Sequence, residues 1–187
     1  MSLQAHVAFF DRDGDGVIAP WDTYRGFRDI GFGLLLALNG AFLIHLTLSY
    51  LTYGTLLPDP LFRIRVKHIH KGTHGSSSGA YTSRGRFDRA RFDNTFNLYT
   101  TAPHTHITLA ETMQMVHGNV NAYDVFGVLA NLSEWLTAYL VIWPADGRMA
   151  KEDILGIYDG SYFYKVSGRK PPSSCIQKKY VKDCGKA

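Results

Sequence analysis

The chain has 187 residues, of which 45% are hydrophobic and 19% charged, with a formal net charge of +4. This composition excludes disordered, collagen-like and other low-complexity chains, so a globular or membrane-associated protein remains. Cys175 and Cys184 both lie near the C-terminus, so they cannot organise the fold through disulfides or a zinc site, and a reducing compartment is expected. The mild basic excess suits an anionic membrane surface. No nucleic-acid-binding motif accompanies it, so we expect no nucleic-acid partner.

The N-terminal residues are predicted to belong to the fold. Residues 1–6 lack the positive charge of a signal peptide, and Asp11 interrupts the apolar stretch that follows them, so no secretory signal is expected.

Residues 11–22 match the pattern of an EF-hand calcium loop. Such a loop uses oxygen ligands at positions 1, 3, 5 and 12, a backbone carbonyl at position 7 and a glycine, here Gly16, at the sharp turn. Asp22 replaces the usual glutamate at the last position and is one methylene shorter, so weaker calcium binding or greater tolerance of Mg²⁺ is expected. The predicted calcium ligands are the side chains of Asp11, Asp13, Asp15 and Asp22 and the carbonyl of Val17.

An uncharged segment follows. Residues 30–58 contain no Asp, Glu, Lys or Arg, and residues 34–57 are apolar enough for a helix of about 36 Å. His45, Ser49 and Thr52 fall on one face of this helix. A helix that packs against protein or lies in a membrane interface explains this polar face better than a helix surrounded by lipid.

Pro58 and Pro60 are predicted to end this helix, because a proline disfavours helical geometry at the residue before it. Basic residues follow at once and suit phospholipid headgroups beside an inserted apolar segment. Attachment to a membrane or lipid droplet is therefore predicted, and the alternative is a buried core helix with a solvated basic loop. The basic residues are Arg63, Arg65, Lys67 and Lys71.

Helix signals recur in the remaining chain. Asp88 is predicted to cap one helix, and residues 108–111 have the spacing of a capping box for the next. A longer helix is predicted over residues 124–143, where Pro144 follows, and a last helix over residues 150–158.

Residues 142–153 resemble a second EF-hand loop in which apolar residues replace the first ligands, so we interpret them as a cation-free partner of the calcium loop. The Lys-rich tail lacks periodicity and is expected to be mobile. The predicted regions are a calcium-binding region (1–29), a lipid-associating segment (30–62), a histidine loop with a C-terminal helical region that contains the degenerate loop (63–168), and a basic tail (169–187).

Several motifs occur in one continuous order over roughly residues 3–167. They are His-Val-Ala-Phe-Phe before the loop, Pro-Trp-Asp-Thr-Tyr and Gly-Phe-Arg-Asp-Ile-Gly-Phe at and after its end, Ile-His-Lys-Gly-Thr-His-Gly-Ser after the prolines, then Phe126-Gly127, Glu134-Trp135 and Asp159-Gly160-Ser161. Together they resemble the caleosin family of calcium-binding peroxygenases. The fold expected is mainly α, with EF-hand-like helical pairs, one intact calcium loop and a central hydrophobic membrane-associating segment. The chain begins almost at His6, so no longer N-terminal extension is expected.

The resemblance implies a calcium-dependent peroxygenase that holds haem b with the help of two histidines, which fall at His6 and His74. It implies that an oxygen atom moves from a fatty-acid hydroperoxide to an unsaturated fatty acid, giving epoxidised or hydroxylated products. The implied location is the lipid droplet and the endoplasmic reticulum membrane, with their phospholipid surfaces as partners. The sparse pair of prolines departs from the proline knot of plant members.

The residue pattern alone does not single out two of the eight histidines, and His70 competes with His74. If two imidazoles bound the iron at once, no position would remain for a hydroperoxide. One histidine is therefore expected to be the proximal ligand, and the other to leave the iron or act as the acid–base group. His6 is favoured as proximal because a helix holds it rigidly, whereas His74 is expected in a mobile Gly/Ser loop. Arg63 and Arg65 are candidate partners for fatty-acid carboxylates.

Two rival functions stay open from the sequence. One is a non-enzymatic, calcium-responsive coat or tether of lipid droplets, and the other is a plain calcium buffer. The sequence leaves the oligomeric state open.

Overall fold

The computed structural model describes residues 3–55, 57 and 59–171. This part of the chain is mainly helical, as predicted, and contains four short strands. It divides into two compact units, one formed by residues 3–72 with 158–171 and the other by residues 73–157. Pro58, Cys175, Cys184 and residues 172–187 of the predicted tail lie outside the described residues.

Four short strands are interspersed among the helices along the described part of the chain. In order they are α1 (Leu3–Val7), β1 (Val17–Ile18), α2 (Pro20–Asp29), α3 (Leu34–Tyr53), β2 (Ile64–Arg65), a 3₁₀ helix (Val66–Gly72), α4 (Arg89–Tyr99), β3 (His106–Thr108), α5 (Leu109–Gly118), α6 (Val125–Ile142), β4 (Arg148–Ala150), α7 (Lys151–Asp159) and α8 (Ser161–Ser167).

An aromatic cluster forms the core of the first unit. Phe10 meets the rings of Phe9, Phe27 and Phe163 edge-on, with ring centroids 5.2 to 5.7 Å apart. Arg169 stacks on this cluster, with its guanidinium 4.4 Å from the centroid of Phe9, and donates a hydrogen bond to the Phe9 carbonyl. Arg169 is therefore docked, although the sequence predicted that a mobile tail begins there.

Helix α3 confirms the predicted polar face, because His45, Ser49 and Thr52 are all buried. The helix ends at Tyr53, before the prolines that were predicted to end it. Gly54 takes the left-handed conformation with φ of 79°, which glycine adopts without steric cost, and so terminates the helix earlier.

His45 joins three segments of the first unit. Its Nδ1 lies 2.6 Å from the carbonyl of Phe62, and its Nε2 lies 2.7 Å from the hydroxyl of Thr23 on α2. Because a carbonyl can only accept, Nδ1 carries the proton, and Nε2 accepts from the threonine. The imidazole thus satisfies two buried polar groups and fixes α3 against α2 and the turn before β2.

The strands pair differently from the prediction. β1, which lies within the predicted calcium loop, pairs antiparallel with β2, with Ile18 opposite Ile64. Residues 142–153 contribute β4 instead, which pairs with β3. The prediction that residues 142–153 partner the calcium loop is therefore wrong. Each strand pairs within its own unit, consistent with the tendency of elements close in sequence to be neighbours in space.

The helices of the second unit begin where their capping signals predicted. Asp88 accepts from the Arg91 amide at the start of α4, and Thr108 and Glu111 form a capping box on α5. Asp124 caps α6 by accepting from the Gly127 amide. The fully buried side chains of this unit include Phe92, Phe96, Ile107, Met115, Met149 and Ile154.

Replacing His45 is expected to destabilise the first unit. His45→Ala leaves a cavity and two buried polar groups without their partner, so the free energy of unfolding should fall by about 3 kcal/mol. Urea unfolding followed by circular dichroism measures this change. Asn39→Ala, on the exposed side of the same helix, is the control and should change stability by less than about 0.5 kcal/mol. Equal effects of the two substitutions would contradict the bridging role of His45.

Candidate functional site

His74 lies in the loop after the 3₁₀ helix, and its side chain is only 7% exposed. Its Nε2 lies 3.8 Å from an oxygen of Glu134 on α6, within ion-pair range but longer than a hydrogen bond. Its ring meets Phe126, also on α6, edge-on at 6.5 Å between centroids. Nδ1 is buried and has no hydrogen-bond partner among the described residues. Nε2 therefore faces a carboxylate, and Nδ1 has no hydrogen-bond partner among the described residues.

The loop that carries His74 is held by hydrogen bonds to α6. Asp124 Oδ2 accepts from both the amide and the hydroxyl of Ser76, at 2.8 and 2.9 Å. Asn131 donates to the Ser76 carbonyl at 2.7 Å, and the Asn121 amide donates to the Ser76 hydroxyl at 3.1 Å. The loop was expected to be mobile, but these bonds fix its backbone two residues beyond His74.

Two carboxylates act on this region electrostatically. The Glu134 carboxylate raises the pKa of His74, while burial of the imidazole opposes the shift. Hydrogen bonds from the Ser76 side chain and the Gly127 amide lower the pKa of Asp124, so this cap stays ionised near neutral pH. An ionised Asp124 is the strongest available acceptor for the loop amides.

His74 fits a metal-binding imidazole. A histidine that ligates a metal through one ring nitrogen almost always donates the other N–H to a carboxylate, a carbonyl or water. A proton on Nε2 of His74 would face Glu134 and leave the lone pair of Nδ1 for a metal ion such as haem iron.

The other candidate histidines belong to the first unit. His6 is half-buried in the last turn of α1, and its ring meets Phe163 edge-on at 5.3 Å between centroids. His70 lies in the 3₁₀ helix, so its backbone is also in a regular element.

Three predicted calcium ligands meet in space. Ligand oxygens of Asp11, Asp13 and Asp15 all lie within 4.8 Å of one another. The Gly16 amide donates to Asp11 Oδ2, and Gly16 has a left-handed φ of 87°, as the predicted turn requires.

The remaining two predicted ligands lie close by in sequence, and the Asp22 carboxylate is outside that group of carboxylates. Val17 is the first residue of β1, and its amide donates to Asp15. Asp22 is in the first turn of α2, where its carboxylate accepts from the Ala19 amide at 3.0 Å. The calcium site stays a prediction, with a ready cluster of three carboxylates at its centre.

The basic segment is partly engaged by the protein itself. Arg63 donates two side-chain hydrogen bonds to Asp59, at 2.8 and 3.0 Å, and lowers the pKa of that carboxyl to about 2. Arg63 is therefore already paired with one carboxylate, and its role in holding a fatty-acid carboxylate stays a prediction. Arg65 is exposed and lies 4.9 Å from the ring centroid of Tyr53, while Lys67 and Lys71 are also exposed.

Among the described residues, α3 and α6 are long and apolar enough to cross a membrane, judged by length and composition, and most residues of both helices are not buried. Long runs of exposed apolar side chains are unusual on water-facing surfaces and mark contacts with lipid or other partners. The exposed apolar residues of α3 are Leu34, Leu35, Leu36, Leu38, Phe42, Leu43, Leu46 and Tyr50.

Sequence reasoning assigned no role at the site to Ser76, Asp124 and Glu134. Asp124 was recognised only as a helix start, and its bond to Ser76 joins residues 48 positions apart. One signal was available for Glu134, which is the only Asp, Glu, Lys or Arg in α6.

A family model described as caleosin related protein matches residues 1–167. A peroxygenase from Lilium longiflorum is 40% identical over 164 residues, which cover 88% of this chain and 69% of the relative. A probable peroxygenase 4 from Arabidopsis thaliana is 38% identical over 181 residues, covering 95% and 90% of the two chains. A probable inactive peroxygenase-like protein from the same plant is 26% identical over 160 residues, covering 83% and 74%. No solved structure matches the chain.

Removing the Asp124 carboxylate is expected to release the His74 loop. Asp124→Ala should cost about 2–3 kcal/mol of stability, since it removes a helix cap and two further hydrogen bonds, and should speed exchange of the Ser76 amide. Hydrogen exchange measured by NMR reports that amide directly. Asp88→Ala is the matched control, because it removes the cap of α4 and an exposed ion pair with Arg91 but no bond to the His74 loop, at a cost of about 1 kcal/mol. A Ser76 amide that stays protected in Asp124→Ala would show that another contact holds the loop.

Proposed function

The chain belongs to the caleosin family, and we propose that it is a calcium-dependent haem peroxygenase that acts on fatty acids at a lipid surface. Relatives named peroxygenase support an enzymatic activity. The observation that carries the proposal is the buried imidazole of His74, fixed in its loop, with one nitrogen facing Glu134 and the other without a hydrogen-bond partner among the described residues. Metal-binding histidines commonly keep one ring nitrogen for the metal and donate the other N–H to a carboxylate, a carbonyl or water.

Haem, when bound, would supply transfer of an oxygen atom from a fatty-acid hydroperoxide to an unsaturated fatty acid. We assign the iron-holding role to His74. The sequence favours His6 because a helix holds it rigidly, and the hydrogen bonds of Ser76 remove that distinction. His6 is assigned the acid–base role, in which it moves a proton to the departing hydroperoxide oxygen.

Calcium would act on the first unit. The cluster of Asp11, Asp13 and Asp15 would hold the ion, together with the Val17 carbonyl and Asp22. α1 runs directly into this cluster, and His6 lies five residues before Asp11 in the chain. An ion in the loop would neutralise the repulsion of three carboxylates and stiffen the segment that carries His6.

The apolar face of α3 would attach the protein to a lipid droplet or the endoplasmic reticulum membrane. Its opposite face is buried against protein through His45, Ser49 and Thr52, so the helix would lie in the interface, with one side in lipid. Exposed Arg65, Lys67 and Lys71 follow the helix and suit anionic headgroups. Apolar substrates would be concentrated at this surface.

A non-enzymatic coat or tether is the second candidate. The exposed apolar face of α3 needs no haem to bind lipid, and one relative is named a probable inactive peroxygenase-like protein. The two candidates differ in haem binding and turnover, so measurements of hemin binding and of oxygenation activity distinguish them.

The calcium assignment predicts a strong effect of one exposed aspartate. Asp13→Ala should weaken calcium binding by roughly 10- to 100-fold, because affinity depends on the number of ligand charges. Isothermal titration calorimetry measures the affinity. Asp146→Ala, in residues 142–153, is the control and should leave calcium binding unchanged. Wild-type affinity in Asp13→Ala would exclude residues 11–22 as the site.

The histidine assignments predict different defects. In protein loaded with hemin, His74→Ala should lose the Soret band and the oxygenation of oleic acid driven by cumene hydroperoxide. His6→Ala should keep the band and lose turnover, because only proton transfer is removed. The exposed His117→Ala is the control and should keep both.

Three outcomes would contradict this assignment. Retention of band and turnover by His74→Ala would exclude that ligand, and loss of the band in His70→Ala instead would move the ligand to His70. A wild-type protein that floats with lipid droplets but neither binds hemin nor oxygenates oleic acid would be the coat or tether.

A further inference from the structure

Residues of α6 and its N-cap contact the His74 ring and hold the loop that carries it. Asp124 and Asn131 of this region fix the loop through Ser76, while Phe126 and Glu134 of α6 contact the imidazole itself. Phe126 and Glu134 are eight residues apart, a little over two helical turns, so they lie on neighbouring parts of one helix surface. The position of the imidazole is therefore defined relative to α6.

Glu134 is unusual within this helix. It is the only Asp, Glu, Lys or Arg in an 18-residue helix that is otherwise apolar enough to cross a membrane. Its side chain is 65% exposed, so the carboxylate keeps most of its hydration, while the imidazole beside it is 7% exposed. A carboxylate in this position can reach the buried ring without a large desolvation cost.

We propose that Glu134 is a positioning residue for His74, whose carboxylate takes the N–H of the ring nitrogen opposite the iron-binding one. The inference rests on the proposed role of His74 as the haem ligand. The proposal requires the 3.8 Å separation to shorten to a hydrogen bond, and the 65% exposed Glu134 side chain is the partner that would move. Glu134 then fixes the tautomer and the plane of the ring, and it increases the electron density on the ligating nitrogen.

Both effects are measurable on the bound haem without turnover. Partners of metal ligands in this position typically contribute 10- to 100-fold to metal affinity. A more electron-rich imidazole stabilises ferric over ferrous iron, so loss of the carboxylate should raise the reduction potential. A tenfold change in the ratio of ferric to ferrous affinity corresponds to about 59 mV for one electron.

The test compares Glu134→Gln with Glu152→Gln and His74→Ala. Glutamine keeps the shape of Glu134 and removes its charge, and the exposed Glu152 on α7 provides a matched control. Hemin affinity is measured by titration of the Soret band and the reduction potential by spectroelectrochemistry. Glu134→Gln should bind hemin 10- to 100-fold more weakly, with a potential raised by an amount on the order of 59 mV, and Glu152→Gln should match the wild type.

The outcomes separate this inference from the proposed function. If Glu134→Gln keeps the wild-type affinity and potential while His74→Ala loses hemin, the positioning role is wrong and the ligand assignment stands. If Glu134→Gln weakens hemin binding but leaves the potential unchanged, the carboxylate does not act through the imidazole and the inference also fails. If His74→Ala binds hemin as tightly as the wild type, both are overturned.

Discussion

The bond between Asp124 and Ser76 is the interaction on which the proposed haem site depends. One carboxylate accepts two hydrogen bonds from Ser76 and a third from the Gly127 amide at the start of α6. A loop rich in glycine and serine would otherwise sample many conformations, and ordering it costs roughly 1–2 kcal/mol for each residue. Because the hydrogen bonds to Ser76 offset this cost during folding, His74 is in place before any ligand binds. Pre-organisation of this kind favours affinity, since less entropy is lost on binding.

In the first unit, His45 likewise connects segments that are distant in the sequence. The short pairing of β1 with β2 ties the acidic loop to the segment that follows the apolar helix. His45 adds a second connection, from Thr23 just beyond that loop to α3 and the Phe62 carbonyl. The predicted calcium loop and helix α3 are thus parts of one packed structure. Under the proposed function, an ion in the loop and lipid on the helix act on the same small core.

Local signals predicted much of this architecture, and long-range contacts escaped prediction. The capping residues Asp88, Thr108 and Asp124 marked the helix starts correctly, and the polar spacing along α3 identified its buried face. The sequence did not predict the end of α3 at Gly54, because the prolines that follow are stronger helix-ending signals than a single glycine. It also did not predict helix α8. Which strands pair, and which residues form hydrogen bonds with Ser76, depends on tertiary packing, which a pattern along the chain does not encode.

Ring-nitrogen NMR of haem-free protein labelled with ¹⁵N-histidine tests most directly the central claim, that His74 is prepared as a ligand by its own surroundings. One histidine, identified by its absence in the His74→Ala spectrum, should show a single tautomer with a protonated Nε2 and an unprotonated Nδ1. A His74 ring that exchanges rapidly between its two tautomers would contradict the account.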